Sequence, residues 1–126
     1  MPCWVLVVED DDILRWMMAE AVDYLGHPVI ECRNAVDALQ QLHGEHPFGL
    51  VITDVRMPGR IDGLGLAKAV WSTHPMLPVI IISAYTILPL KYLPANARFI
   101  TKPCTLDLLS RTMEDLLAPI HIPFSS

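Results

Sequence analysis

The chain has 126 residues, 52% of them hydrophobic and only 18% charged, with a mean hydropathy of +0.39; this suits one buried core and excludes a disordered acidic tail. Nine Lys and Arg against fourteen Asp and Glu leave a net charge of −5 with the cations scattered, so no nucleic-acid partner is expected. The apolar runs are far shorter than the ~20 residues that span a bilayer, the first residues lack a secretion signal, and three cysteines without CxxC spacing indicate neither a disulfide framework nor a zinc site. A reduced, cytoplasmic domain with no membrane partner is the expectation.

Residues 4–8 form a continuous apolar run ending in Glu9, Asp10 and Asp11, as a strand buried on both faces does. From Asp12 the period turns helical, with Leu14, Met17, Met18, Ala21, Val22 and Leu25 on one face and Gly26 as the stop. Residues 28–32 read as a second, less apolar strand. Asn34 then caps a helix that carries Ala35, Ala38, Leu39 and Leu42 on one face and ends at Gly44. Residues 50–53 make a third strand running into Asp54, and a loop over 55–62 leads to a helix with Leu66, Ala67, Val70 and Trp71 inward. A fourth strand, 79–82, ends at Ser83, and a fifth, 98–101, ends at Lys102. The last helix begins near Thr105 and buries Leu109, Met113 and Leu116. Residues 119–126 hold two prolines and no helical period, so the domain is expected over 1–118 with an irregular tail after it.

Strands alternating with helices predict an α/β fold, a doubly wound five-stranded parallel sheet. In such folds ligands sit beyond the carboxyl ends of the strands. Those ends carry Glu9, Asp10, Asp11, Asp54, Ser83 and Lys102, which should gather on one edge. Two carboxylates ~5 Å apart repel by roughly 3 kcal/mol at an effective dielectric near 20. A hard divalent cation such as Mg²⁺ relieves that repulsion. Cation, ammonium and hydroxyl around one carboxylate make a phosphoryl-transfer site in which Asp54 is the nucleophile. The competing interpretation is a carboxylate cluster that caps the first helix and solvates the sheet edge; for Asp11 or Asp12 alone, capping is preferred.

The stretches Val7-Val8-Glu9-Asp10-Asp11, Thr53-Asp54 with Arg56 and Pro58 following, Ser83-Ala84 and Lys102-Pro103 together resemble the bacterial two-component response-regulator receiver domains, of the stand-alone, chemotaxis-regulator-like kind. The resemblance covers residues 4 to about 117. It implies the flavodoxin-like strand order 2-1-3-4-5. It also implies phosphorylation of Asp54 by a histidine kinase or histidine phosphotransfer protein, and Mg²⁺ held by Asp10 and Asp54 directly, by Glu9 through water and by the backbone carbonyl of Arg56. Lys102 would bind the phosphoryl oxygens, Ser83 would contact the new phosphate, and Phe99 stands at the switch aromatic. On this reading the chain signals to an unknown downstream protein, carries no output domain and has no separate turnover substrate. Two alternatives stay open: an unphosphorylated interaction module of the same fold, and a Mg²⁺-dependent aspartyl phosphatase of the haloacid dehalogenase type. The latter lacks its second acid, since Val55 and Arg56 follow Asp54.

Smaller signals have plainer readings. Gly63-Leu64-Gly65 is a helix start with close packing rather than a dinucleotide fingerprint. The five histidines are surface or loop residues, and Trp4, Trp16 and Trp71 are core or half-exposed packing residues. Cys104 is a small packing residue. The stretch between Ser83 and Lys102 is about three residues short for the family and holds Pro89 and Pro94. The helix between the fourth and fifth strands is therefore expected to be missing or about one turn long, with Leu88, Leu90 and Leu93 anchoring the loop. The chain is then expected to be a monomer or a non-standard dimer.

Overall fold

The computed structural model describes residues 3–44, 46–56, 62–84 and 93–117. Five strands, β1 (Trp4–Val8), β2 (Val29–Cys32), β3 (Phe48–Asp54), β4 (Val79–Ser83) and β5 (Ala97–Thr101), pair in parallel in the order β2-β1-β3-β4-β5. Among the described residues, four helices, α1 (Asp12–Tyr24), α2 (Ala35–Leu42), α3 (Gly63–Thr73) and α4 (Leu106–Leu117), accompany them. The expected α/β class and strand order are both observed.

Period-2 alternation of apolar side chains explains why the sheet is covered twice. Leu6, Val8, Val51, Val79 and Ile81 face α2 and α3. Val5, Val7, Leu50, Ile52, Ile80 and Ile82 face the other way, with Met18, Val22, Leu109 and Met113 from α1 and α4. Local signals set the helix ends. Asp11 Oδ1 accepts the N–H groups of Ile13 and Leu14 at 2.9 and 3.0 Å, and Asn34 Oδ1 accepts that of Asp37 at 2.8 Å. Gly26 closes α1 with φ of 86°, a left-handed conformation glycine adopts without strain.

Three packing expectations need correction. Trp16 is 60% exposed: α1 buries Met18, Ala19, Ala21 and Val22, and that stripe turns Trp16 and Ile13 outward. Leu116 is only partly buried, at the edge of the α1–α4 layer. The expected loss of the helix between β4 and β5 falls on residues 85–92, with Leu88 and Leu90, and lies outside the described residues, as does the tail over 119–126; Leu93, expected as a third anchor, is instead exposed. Among the described residues no helix is long and apolar enough to cross a membrane.

Candidate functional site

The register of the sheet assembles the site. Val8 of β1 pairs with Thr53 of β3, so Glu9 and Asp54 leave the central strands side by side. Ser83 at the end of β4 pairs with Thr101 of β5, and the Lys102 N–H donates to the Ser83 carbonyl at 2.7 Å. That bond delivers the Lys102 ammonium to Asp54, where Nζ stands 2.8 Å from Oδ2. The other oxygen, Oδ1, accepts the Arg56 N–H at 3.3 Å. One carboxylate oxygen each from Glu9, Asp10 and Asp54 lies within 4.8 Å of the others. Glu9 and Asp54 are buried, 1% and 4% exposed, and Asp10 is exposed.

Burial decides the charges. Glu9 is pushed up to about 8, first by its burial and then by the Asp54 and Asp10 carboxylates; the Asp11 N–H, which donates to Oε2 at 3.0 Å, works against this. For Lys102, burial opposes the ammonium, but the hydrogen bond to Asp54 and the charges of Asp54, Glu9 and Asp10 outweigh it and hold the group above its ordinary value.

These shifts predict a pH dependence. The folded chain binds a proton at Glu9 that the unfolded chain releases near 4.5, so the contribution of Glu9 to metal-free stability is fully present below that pH. It falls as pH rises toward about 8 and the carboxylate is forced to ionise in place. Glu9→Gln should remove most of this slope. Urea unfolding at pH 5 and pH 8 in chelator checks it, and an unchanged slope in Glu9→Gln would assign the dependence to another group.

The donor set fits a hard cation. Glu9 Oε1 is buried and without a hydrogen-bond partner among the described residues, although Oε2 is held. A buried orphan oxygen is costly unless something else binds it, and three carboxylates around one point are oxygen ligands of the kind Mg²⁺ takes. Ser83 is fully buried, while Phe99 is half-buried two positions below it on the same face, packed with the α2–α3 core. Cys104 is half-buried against the α1–α4 core, its thiol pushed up by burial and pulled down less by Lys102.

Two residues matter here that the sequence did not single out for this site. Arg15 Nη1 donates to the Glu9 carbonyl at 2.9 Å. Gly63, at the start of α3, packs so tightly that a Cβ would stand 1.7 Å from the Asp54 carbonyl oxygen. Close packing at that helix start was legible; its partner was not.

The chain matches the response regulator receiver domain family over residues 5–114. It belongs to that family. The response regulator receiver protein CpdR of Brucella abortus is 30% identical over 116 residues, covering 90% of this chain and 95% of CpdR. The DNA-binding transcriptional regulator NtrC of Escherichia coli is 39% identical over 82 residues, 65% of this chain but 17% of that protein, so the chain spans a small part of such relatives. The response regulator protein TrrA of Thermotoga maritima, solved in complex with Mg²⁺ and BeF, superposes with a TM-score of 0.79 at 27% identity, covering 91% of this chain and 99% of TrrA. The receiver is thus a domain of two-component response regulators, and the acidic cluster occupies the carboxyl edge of its sheet.

Proposed function

We propose that this receiver accepts a phosphoryl group on Asp54 from the phosphohistidine of a kinase or phosphotransfer protein. The observation that carries the reading is Lys102 Nζ at 2.8 Å from Asp54 Oδ2, with Glu9 and Asp10 closing the other side. An Asp54 carboxylate oxygen forms the new bond to phosphorus as the phosphorus–nitrogen bond to the donor imidazole breaks, and the imidazole keeps the electron pair and takes a proton. Glu9, Asp10 and Asp54, with the Arg56 carbonyl, would hold Mg²⁺, which when bound neutralises charge on the transferring group. Lys102 then exchanges its ion pair with Asp54 for the phosphoryl oxygens, and its raised pKa keeps it cationic. Ser83 and Phe99, on one face of neighbouring strands, read the phosphate. The match across nearly all of CpdR supports a receiver role; on this reading the chain signals to another protein in the cytoplasm, without separate substrate turnover.

Incubation with acetyl phosphate and Mg²⁺ tests the reading: one hydroxylamine-labile phosphoryl group per chain is expected by mass spectrometry. No incorporation would favour the unphosphorylated interaction module, and repeated phosphate release from many added esters would favour a phosphatase.

We propose that a protein donor reaches the site across α1 and α4. Ile13 and Trp16 stand exposed one turn apart, 72% and 60%, and a cavity of about 530 Å³ beside Lys102 opens between Leu14, Met17, Pro103 and Leu106. Trp16 neighbours the cavity-lining Met17 in the chain, and exposed aromatics of this size are the residue type that dominates contact hot spots. Trp16→Ala should weaken transfer from the protein donor by about ten-fold or more in kcat/KM, while phosphorylation by acetyl phosphate stays unchanged. Equal loss with both donors would place Trp16 in fold maintenance instead.

A further inference from the structure

Glu9 is held at three points. Its N–H donates to the Cys32 carbonyl of β2 at 3.0 Å, Oε2 accepts the Asp11 N–H at 3.0 Å, and its carbonyl accepts Arg15 Nη1 at 2.9 Å. Only the last contact comes from a side chain. Arg15 stands in the first turn of α1, its own N–H bonded to the Asp11 carbonyl at 2.9 Å, and its side chain is 14% exposed. The rest of the guanidinium is taken up elsewhere: Nη2 lies 2.6 Å from Asp12 Oδ1 and Nε 3.4 Å from Glu31 Oε1 on β2. Arg33 shares Asp12 at 3.3 Å, so two cations and two carboxylates balance within this group. The guanidinium therefore reaches Glu9 as a hydrogen-bond donor to a neutral carbonyl, its charge already matched by Asp12 and Glu31.

We infer that Arg15 is a positioning residue for the cation site, an inference that rests on the Mg²⁺ reading above. The Glu9 carbonyl belongs to the peptide that joins Glu9 to Asp10. Clamping that peptide sets the direction in which the Asp10 side chain leaves the backbone. It also fixes the backbone from which the Glu9 side chain leaves, while the Asp11 N–H on Oε2 holds the carboxyl itself. The planar fork of arginine joins the carbonyl, the α1 carboxylate and the β2 carboxylate at once, a geometry a lysine ammonium on a flexible stem does not reproduce. Groups that orient metal ligands without touching the metal typically contribute ten- to a hundred-fold in affinity.

The test is Mg²⁺ binding by calorimetry on folded protein, with phosphorylation rates from acetyl phosphate across a Mg²⁺ series. Arg15→Met should raise the Mg²⁺ dissociation constant by about ten-fold or more, and shift the Mg²⁺ needed for half-maximal rate by the same factor. The rate at saturating Mg²⁺ should stay within about two-fold, since the ligands themselves remain. Arg15→Lys, which keeps the charge and costs less packing, should rescue only part of the affinity. Arg33→Met, which touches Asp12 but not Glu9, should bind Mg²⁺ as the unmodified chain does. Unchanged affinity in Arg15→Met, or full rescue by Arg15→Lys, overturns the positioning role while leaving the cation site standing. An unmodified chain that binds no Mg²⁺ overturns the cation site and this role with it.

Discussion

Asp54→Ala is expected to abolish phosphate incorporation and leave a folded receiver. On the proposed reading this carboxylate is the phosphoryl acceptor, and no other described carboxylate has the Lys102 ammonium at 2.8 Å. Glu9 is buried without access and Asp10 is exposed at the rim, so neither replaces it. The fold survives because Asp54 contributes little apolar packing, and because its removal relieves repulsion with Asp10 while leaving Lys102 partly solvated. The metal-free variant should therefore still unfold cooperatively, close to the temperature of the unmodified chain, because the lost Asp54–Lys102 pair works against the relieved repulsion. A hydroxylamine-labile phosphate still present on Asp54→Ala after exposure to acetyl phosphate and Mg²⁺ would move the acceptor to another residue.

Gly63→Ala is expected to damage both stability and function, although it adds one methyl group more than 8 residues along the chain from Asp54. The added Cβ would meet the Asp54 carbonyl oxygen at 1.7 Å and the Val55 Cα at 2.8 Å, and both are backbone atoms that cannot swing aside. The Asp54 carbonyl is also fixed by the Thr53 hydroxyl at 3.0 Å, and α3 is tied to the same loop by the Gly63 N–H on the Val55 carbonyl at 2.9 Å. Either α3 lifts off or the end of β3 moves. Forced overpacking of this kind costs on the order of 3 kcal/mol, a fall in Tm of roughly 10 °C or more for a domain of this size. Because the backbone that moves carries Asp54, phosphorylation at 10 °C, where the variant remains folded, should still drop at least about ten-fold, a barrier change of roughly 1.4 kcal/mol. A variant with an unshifted Tm would mean that α3 starts elsewhere.

The residues legible in advance are those whose environment is set locally. The apolar run of β1, the caps at Asp11 and Asn34 and the glycine stop at Gly26 depend on neighbours within four positions, so periodicity and capping chemistry place them. The strand-end set Glu9, Asp10, Asp54, Ser83 and Lys102 was legible for a second reason. In a parallel sheet every strand ends on the same edge, so residues far apart in sequence share an address once the alternation of elements is recognised. The face that α1 turns to solvent was less legible, since Ile13, Trp16 and Met17 are all apolar and only the docking of the helix decides which of them is covered.

By itself, then, the amino-acid order determined the element sequence, the two-sided core and the chemistry gathered at one edge, because those follow from side-chain period and strand direction. Tertiary structure alone decided how that edge is tuned. The burial that pushes Glu9 up to about 8 arises from packing between strands rather than from its neighbours in sequence. Arg15 meets Glu31 only because β2 lies beside β1, and Gly63 meets Asp54 only because α3 docks against the end of β3. Each is a contact between elements, and its distance is set by how whole layers pack, a quantity that no local pattern of residues encodes.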